Sequence, residues 1–142
     1  MPVVARQIAF HEQLDPARFA AQPDAADRYR GWLARVAEDP TGVYLVAEEN
    51  GLVFGFLLGV LQAEYRMYRV GRVGFIHELW VDDDHRRQGA GRALVLDAKA
   101  RFKALDAQQV RLDTSAYNER AQRLFEACGF RPSTIEMLAE LS

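Results

Sequence analysis

The sequence predicts a mixed α/β fold, a sheet with helices packed on it, in the order β-α-α-β-β-β-α-β-α-β. Three observations carry that reading. Two apolar, strand-like runs are joined by Glu49-Asn50-Gly51, and Asn-Gly between such runs is a strong hairpin signal. A further strand, Gly74–Val81 (GFIHELWV), leads through a glycine-bearing segment into a helix with an apolar stripe at Leu94, Ala98, Phe102 and Leu105. A second amphipathic stretch carries Ala121, Leu124, Phe125 and Cys128 at i, i+3, i+4 and i+7, and Gly129 stands where a helix-ending glycine is expected.

Taken in order, Val3–Ala9 reads as a first strand, β-branched at its start. The polar, alanine-rich stretch from His11 to about Glu38 accommodates two short helices. One starts at Asp15-Pro16, a cap followed by a proline at a first helical position, and the other near Asp24. Asp39-Pro40-Thr41-Gly42 is a turn. Val43–Glu48 and Leu52–Leu61 form the hairpin, with Gly55 and Gly59 marking bulges or close backbone approach. Glu64–Arg72 is a loop. After the helix from about Gly91 to Leu105, the turn Asp106–Gln109 leads into a short strand, Val110–Thr114, and Thr134–Leu141 alternates loosely as a final strand. Without repeats, low-complexity tracts or a long linker, residues 1–142 are expected to form a single domain.

Composition narrows the function classes. Apolar residues make up 49% and charged residues 27%, as in an ordinary globular protein, and the formal net charge is −2 at pH 7. That balance argues against nucleic acid as the main partner, since phosphate backbones select for a basic excess. Basic residues do gather locally at Arg86, Arg87 and Arg92. The single cysteine, Cys128, allows no intrachain disulfide. Arg6 and Gln7 interrupt the N-terminus before a signal-peptide core forms, and no apolar run approaches the roughly 20 residues of a membrane-spanning helix. The expected setting is the cytoplasm, with no membrane partner.

The most informative stretch is VDDDHRRQGAGRALV: strand, acidic turn, basic glycine segment, helix. The first turn of a helix leaves backbone N–H groups unpaired and carries partial positive charge, which suits an anion. Gly89 and Gly91 remove side-chain bulk so that a phosphate can approach the backbone. A plain surface turn is the other reading of those glycines. A P-loop is excluded because no Gly-Lys-Ser/Thr follows. A dinucleotide fingerprint is excluded because Leu94 stands three places after Gly91, where Gly or Ala is required.

Arg86-Arg87-Gln88-Gly89-Ala90-Gly91 resembles the cofactor motif of the Gcn5-related N-acetyltransferases, Arg/Gln-x-x-Gly-x-Gly/Ala at the start of a long helix directly after a central strand. A second element of that family is an asparagine, an alanine three residues on, Leu-Tyr three beyond, then Gly-Phe. Asn118, Ala121, Leu124-Phe125 and Gly129-Phe130 match it, with phenylalanine in place of the tyrosine. The element order agrees over almost the whole chain. The resemblance implies the acyl-CoA N-acyltransferase fold: a mixed, mostly antiparallel central sheet of six to seven strands with helices on both faces.

It also implies roles. Leu79, Trp80 and Val81 would pair through backbone groups with the pantetheine arm of acetyl-CoA, where this strand splays from its neighbour. Backbone amides of Arg86, Arg87, Gln88, Gly89, Ala90, Gly91 and Arg92 would hold the pyrophosphate. Asn118 would contact the arm, and its position suits a helix N-cap equally well. The reaction would be attack of an amine on the acetyl thioester, with no metal. A lysine-like amine has a reference pKa of about 10.4, so burial or a base must remove its proton. The carbonyl oxygen would be stabilised by a backbone N–H near Leu79. Glu78, a carboxylate in an apolar strand, and Asp113, which closes the following strand, are the candidate catalytic bases, with His77 beside the first. A solvated strand face or an ordinary strand end would place the same carboxylates without catalysis.

Phe125 has no proton to give to the departing sulfur, so no general acid is assigned. Tyr65, Tyr68 and Tyr117 are possible substitutes that nothing in the sequence places. Tyr65, Tyr68, Trp80 and Asp82–Asp84 border the expected acceptor pocket, though a solvated acidic turn also explains the aspartates. Three functions stay open: an N-acetyltransferase acting on a primary amine of a small molecule, a protein N-terminal or lysine acetyltransferase, and a non-catalytic acyl-CoA-binding module. Family members often pair through terminal strands, so the tail IEMLAEL makes a homodimer one expectation beside a monomer.

Overall fold

Asn50 and Gly51 both take positive φ, 53° and 81°, the geometry that a two-residue hairpin turn demands. They join β1 (Gly42–Glu49) to β2 (Leu52–Ala63), and the pair closes at Glu49↔Leu52. The structure, a computed structural model, describes residues 2–15, 23–64, 66–82 and 89–141. In chain order the remaining elements are α1 (Pro2–Leu14) and α2 (Ala25–Ala37) before the hairpin, then β3 (Arg72–Val81), α3 (Ala90–Ala104), β4 (Gln109–Leu112) and α4 (Glu119–Ala127). One sheet has the order β1-β2-β3-β4, antiparallel as far as β3 and parallel between β3 and β4. The fold is a mixed α+β one with a mostly antiparallel open sheet, as predicted.

Helices cover both faces. On one face Leu45, Leu57, Ile76 and Val81 meet Leu94, Val95, Ala98 and Phe102 of α3, which is three of the four residues of the predicted stripe, with Leu105 partly buried beside them. Phe102 is wholly buried, and a Cβ placed on Gly59 would stand 2.8 Å from its ring; the close approach expected at Gly59 is to this side chain. On the other face Phe56 and Trp80 are covered by Phe10 of α1. Alternate residues of β2 therefore serve two cores, and its pattern reads as one continuous apolar run.

Three expectations are corrected. Val3–Ala9 is helical, within α1. The inward positions include Gln7, which is buried, and Phe10, which packs on Trp80, and this spacing is helical. A polar residue on the inward stripe conceals it from a hydrophobicity reading. Asp15, expected to cap a new helix, instead follows α1, its N–H bonded to the carbonyl of His11 at 3.0 Å; Pro16 lies outside the described residues. Thr134–Leu141 forms no strand: Ile135, Met137, Leu138 and Leu141 are exposed, and their alternation joins no ladder among the described residues. The described sheet therefore has four strands where six to seven were expected.

Candidate active site

The parallel ladder between β3 and β4 runs from Val73↔Gln109 to Ile76↔Leu112 and stops. β3 continues for five residues to Val81, still paired to β2, with Gly55↔Val81 the last rung. The chain after Leu112 leaves through Asp113 and Ser115 to a turn in which the Asn118 N–H bonds the Ser115 carbonyl at 3.0 Å, and α4 follows. Leu79, Trp80 and Val81 thus lie beyond the point where the two parallel strands part company.

A bulge sits at that point. Leu58 pairs with Glu78 and Gly59 with Ile76, so His77 is the extra residue. A bulge can place two successive side chains on one side, and here both meet the helices of the Phe10 face. The His77 ring meets Trp32 of α2 edge-on at 5.7 Å and lies 4.8 Å from the ring of Phe75. Glu78 accepts a hydrogen bond on Oε2 from Nε2 of Gln7 in α1. Ile76 and Leu79, to either side, pack into the opposite core.

His77 keeps an exposed surface, yet the partial desolvation imposed by the neighbouring rings holds its pKa below the ordinary histidine value, and the charge of Asp113 opposes that shift. Nε2 of His77 stands 3.3 Å from Nε2 of Gln62. With the Gln62 amide in this orientation its nitrogen donates and the histidine nitrogen accepts, which fits a neutral ring. Asp113 itself is exposed, just past the end of β4. The bulge and the end of β4 therefore bring His77, Glu78 and Asp113 to the same end of the sheet.

Asp82 is a tie rather than a free acid. It takes both Arg6 Nε at 3.0 Å and Arg6 Nη2 at 2.6 Å, and also the indole N–H of Trp80 at 2.8 Å. These bonds raise the Arg6 pKa and lock α1 across the end of β3. Trp80 is buried beneath Phe10, Tyr68 is exposed, and Tyr65 and Asp83–Asp84 lie outside the described residues.

Arg86, Arg87 and Gln88 also lie outside the described residues. The segment is described again from Gly89, which caps α3 in the left-handed region (φ 77°) and has no side-chain hydrogen bond to the cap. The first turn of α3 contains Ala90, Gly91 and Arg92 and no acidic residue. Asn118 caps α4, its Oδ1 accepting from the Ala121 N–H at 3.1 Å. Phe125 is buried, 5.9 Å from Phe130. Tyr117 is exposed. An open groove of about 650 Å³ between β1 and α3, lined by Tyr44, Val46, Phe54, Asp97 and Arg101, contains none of His77, Glu78, Asp113 or Asn118.

The sequence reading passed over Gln7. It is the polar member of the buried set among the described residues, 3% exposed, and it reaches the candidate base directly. The signal available was its place on a helical stripe, three residues before Phe10 and seven before Leu14, which a strand reading of the segment hides.

A strand that outruns its parallel neighbour and then a glycine-capped helix define a specific topology, and the comparisons match it. The model of the acetyltransferase (GNAT) family matches residues 7–130. The chain belongs to the GNAT acetyltransferase family. A mycothiol acetyltransferase of Thermobispora bispora is 33% identical over 100 residues, 70% of this chain and 33% of the relative. An uncharacterized N-acetyltransferase, YhfO of Bacillus subtilis, is 31% identical over 68% of this chain and 64% of its own length. The chain thus spans between a third and two thirds of these curated relatives. Among solved structures, the BH1408 protein of Bacillus halodurans, as a tetramutant, superposes with TM-score 0.82 at 19% identity, covering 99% of this chain and 90% of that one. An aminoglycoside N-acetyltransferase, AAC(6')-Iy in complex with CoA, gives TM-score 0.73 at 16% identity, over 97% of this chain and 88% of that one. The fold that the two motifs and the element order imply is the fold of these structures. Among the described residues no helix is long and apolar enough to cross a membrane, and no group of three or more His, Cys, Asp or Glu side chains is placed to hold a metal ion.

Proposed function

We propose that this family member is an N-acetyltransferase that moves the acetyl group of acetyl-CoA to a primary amine of a small molecule, by direct attack in a ternary complex. The supporting observation is the end of the β3–β4 ladder at Ile76↔Leu112, followed by the glycine-capped start of α3. Backbone groups of Leu79, Trp80 and Val81 take the pantetheine arm where the ladder has ended. The N–H groups of Gly89, Ala90, Gly91 and Arg92, continuing those of Arg86, Arg87 and Gln88, hold the pyrophosphate. The fit is electrostatic and steric: a first helical turn without an acid, and a left-handed glycine cap without a Cβ over the phosphate. Asn118 uses Oδ1 for its cap, which leaves the amide NH2 group to donate to the arm.

Acetyl-CoA supplies an activated acetyl thioester. Glu78 takes the first proton from the acceptor ammonium, with Asp113 and His77 at the same end of the sheet as the outlet for it. The neutral nitrogen forms the C–N bond as the C–S bond breaks, and its second proton leaves to solvent or to sulfur. A backbone N–H near Leu79 stabilises the carbonyl oxygen as it gains charge. A thiol of reference pKa about 8.5 leaves adequately as thiolate, so buried Phe125 is tolerated in place of a proton donor. The small-molecule acceptor is favoured by the mycothiol acetyltransferase among the relatives, and the setting proposed is the cytoplasm.

The test is release of free thiol from acetyl-CoA over a panel of small amines, aminoglycosides and peptides. Turnover concentrated on small amines supports the reading, and turnover on peptides moves it to protein acetylation. CoA binding without turnover on any amine would make this a binding module.

A further inference from the structure

We propose that Gln7 is a positioning residue for Glu78, holding it as a carboxylate, and that the amide oxygen of Gln7 receives an N–H of the acceptor amine. This rests on the reading of Glu78 as the proton acceptor. Gln7 is 3% exposed, and Oε1 of its side chain is buried with no hydrogen-bond partner among the described residues. A buried acceptor left unmade costs about 1–3 kcal/mol, which a leucine or methionine of similar size would not incur. The other end of the same amide donates from Nε2 to Oε2 of Glu78.

That arrangement favours one protonation state over the other. An ionised carboxylate only accepts, so it pairs with the NH2 group. A protonated Glu78 could still accept the N–H on its carbonyl oxygen, but a neutral acceptor holds it more weakly than a carboxylate does. The amide therefore favours the charged form, the form a base must have before it takes a proton. An ammonium has three N–H donors and can reach a carboxylate and the adjacent amide oxygen together. The acceptor is thus recognised as an ammonium, charged on arrival, beside the carboxylate that deprotonates it.

The helix carrying Gln7 is fixed on both sides. Arg6 is held by Asp82, Phe10 packs on Trp80 at 5.4 Å, and Nδ1 of His11 lies 2.9 Å from the Gln7 carbonyl. Among the described residues, the titratable and charged groups on the elements next to Glu78 include His77 beside it on β3, His11 and Arg6 of α1, Asp82 at the end of β3 and Asp113 past β4. α2 brings the uncharged ring of Trp32 to the neighbouring His77.

The experiment is the pH profile of kcat/KM for the best amine, with CoA affinity measured in parallel, for the full chain and for Gln7→Leu, Gln7→Glu and Glu78→Gln. The amine's own titration is common to all four, and Glu78→Gln separates the Glu78 limb from those of His11 and His77. Gln7→Leu is expected to move the acid limb up by about one pH unit and raise the amine KM about tenfold, leaving CoA affinity unchanged. Gln7→Glu, which keeps an acceptor oxygen but adds a like charge, is expected to move the limb further and recover part of the KM. If Glu78→Gln abolishes the limb while a folded Gln7→Leu keeps the wild-type limb and KM, Gln7 merely packs and the proposal is overturned. Should Gln7→Leu fail to fold, an unmoved limb in Gln7→Glu overturns it equally. A limb that survives in Glu78→Gln removes the base reading itself, and this proposal with it.

Discussion

A Cβ built on Gly91 would stand 3.1 Å from Cδ2 of Leu124 and 3.8 Å from Cγ2 of Val81. The second glycine of RRQGAG is thus a packing residue, and its neighbour belongs to the other motif, the Asn118–Phe130 element. The two stretches that carry the family resemblance touch, and they touch at the end of β3. Gly89 has a different duty: a Cβ there would meet nothing within 4 Å among the described residues, but φ of 77° favours glycine.

Gly91→Val is therefore expected to push α3 off α4, costing about 1–3 kcal/mol of stability as an overpacked contact. CoA affinity should fall with it, because the first turn of α3 moves. Urea denaturation and calorimetric titration of CoA check the two effects, and a stable variant with wild-type affinity would separate this packing from the cofactor site.

Asn118 carries two roles that substitutions can split. Asn118→Ala loses the bond from Oδ1 to the Ala121 N–H and should cost about 1 kcal/mol. Asn118→Asp keeps the cap, and places an acid at the positive end of α4 where it is tolerated. It has no NH2 group, so stability should hold while CoA binding weakens severalfold. Equal CoA affinity in Asn118→Asp and the wild type would reduce Asn118 to a cap.

His77 makes folding stability depend on pH. Its folded pKa is depressed by partial desolvation, so the unfolded chain binds the proton more readily. The contribution is complete above the unfolded value, near pH 6.5, and is lost as pH falls through the folded value. Relative to His77→Gln, the wild type should lose stability between about pH 7.5 and about pH 5.5. Denaturant midpoints at the two pH values give the comparison, and a constant difference would mean that the ring is solvated in the fold.

How much of this was legible from residues alone divides along physical lines. The hairpin, β3, α3 and α4 were readable because turn chemistry and apolar period agree in each. Asn50-Gly51, the Leu94–Phe102 stripe and the Gly129 stop all act locally. α1 was misread because its inward face includes a glutamine whose burial depends on Glu78, a residue 71 positions away. The tail from Thr134 has strand-like alternation, but a strand is made by its neighbour, and no ladder among the described residues takes it up. The bulge at His77 was marked only on the partner strand, by Gly59 at the register shift. A register shift is a property of two strands, so nothing in β3 itself named His77 as the extra residue. The bulge nevertheless decides that His77 and Glu78 share a face, which makes the carboxylate available to α1.

The measurement that bears most directly on the acetyl-CoA site is calorimetric titration of CoA into Arg92→Glu beside the wild type. Arg92 is exposed in the first turn of α3, where a glutamate favours the helix dipole by about 0.3–1 kcal/mol. Thermal stability should therefore hold or rise. The same carboxylate would oppose a pyrophosphate bound at that turn, and reversal of one charge there should weaken CoA binding about tenfold or more. A stable Arg92→Glu protein that binds CoA as tightly as the wild type would contradict the placement of the pyrophosphate at α3.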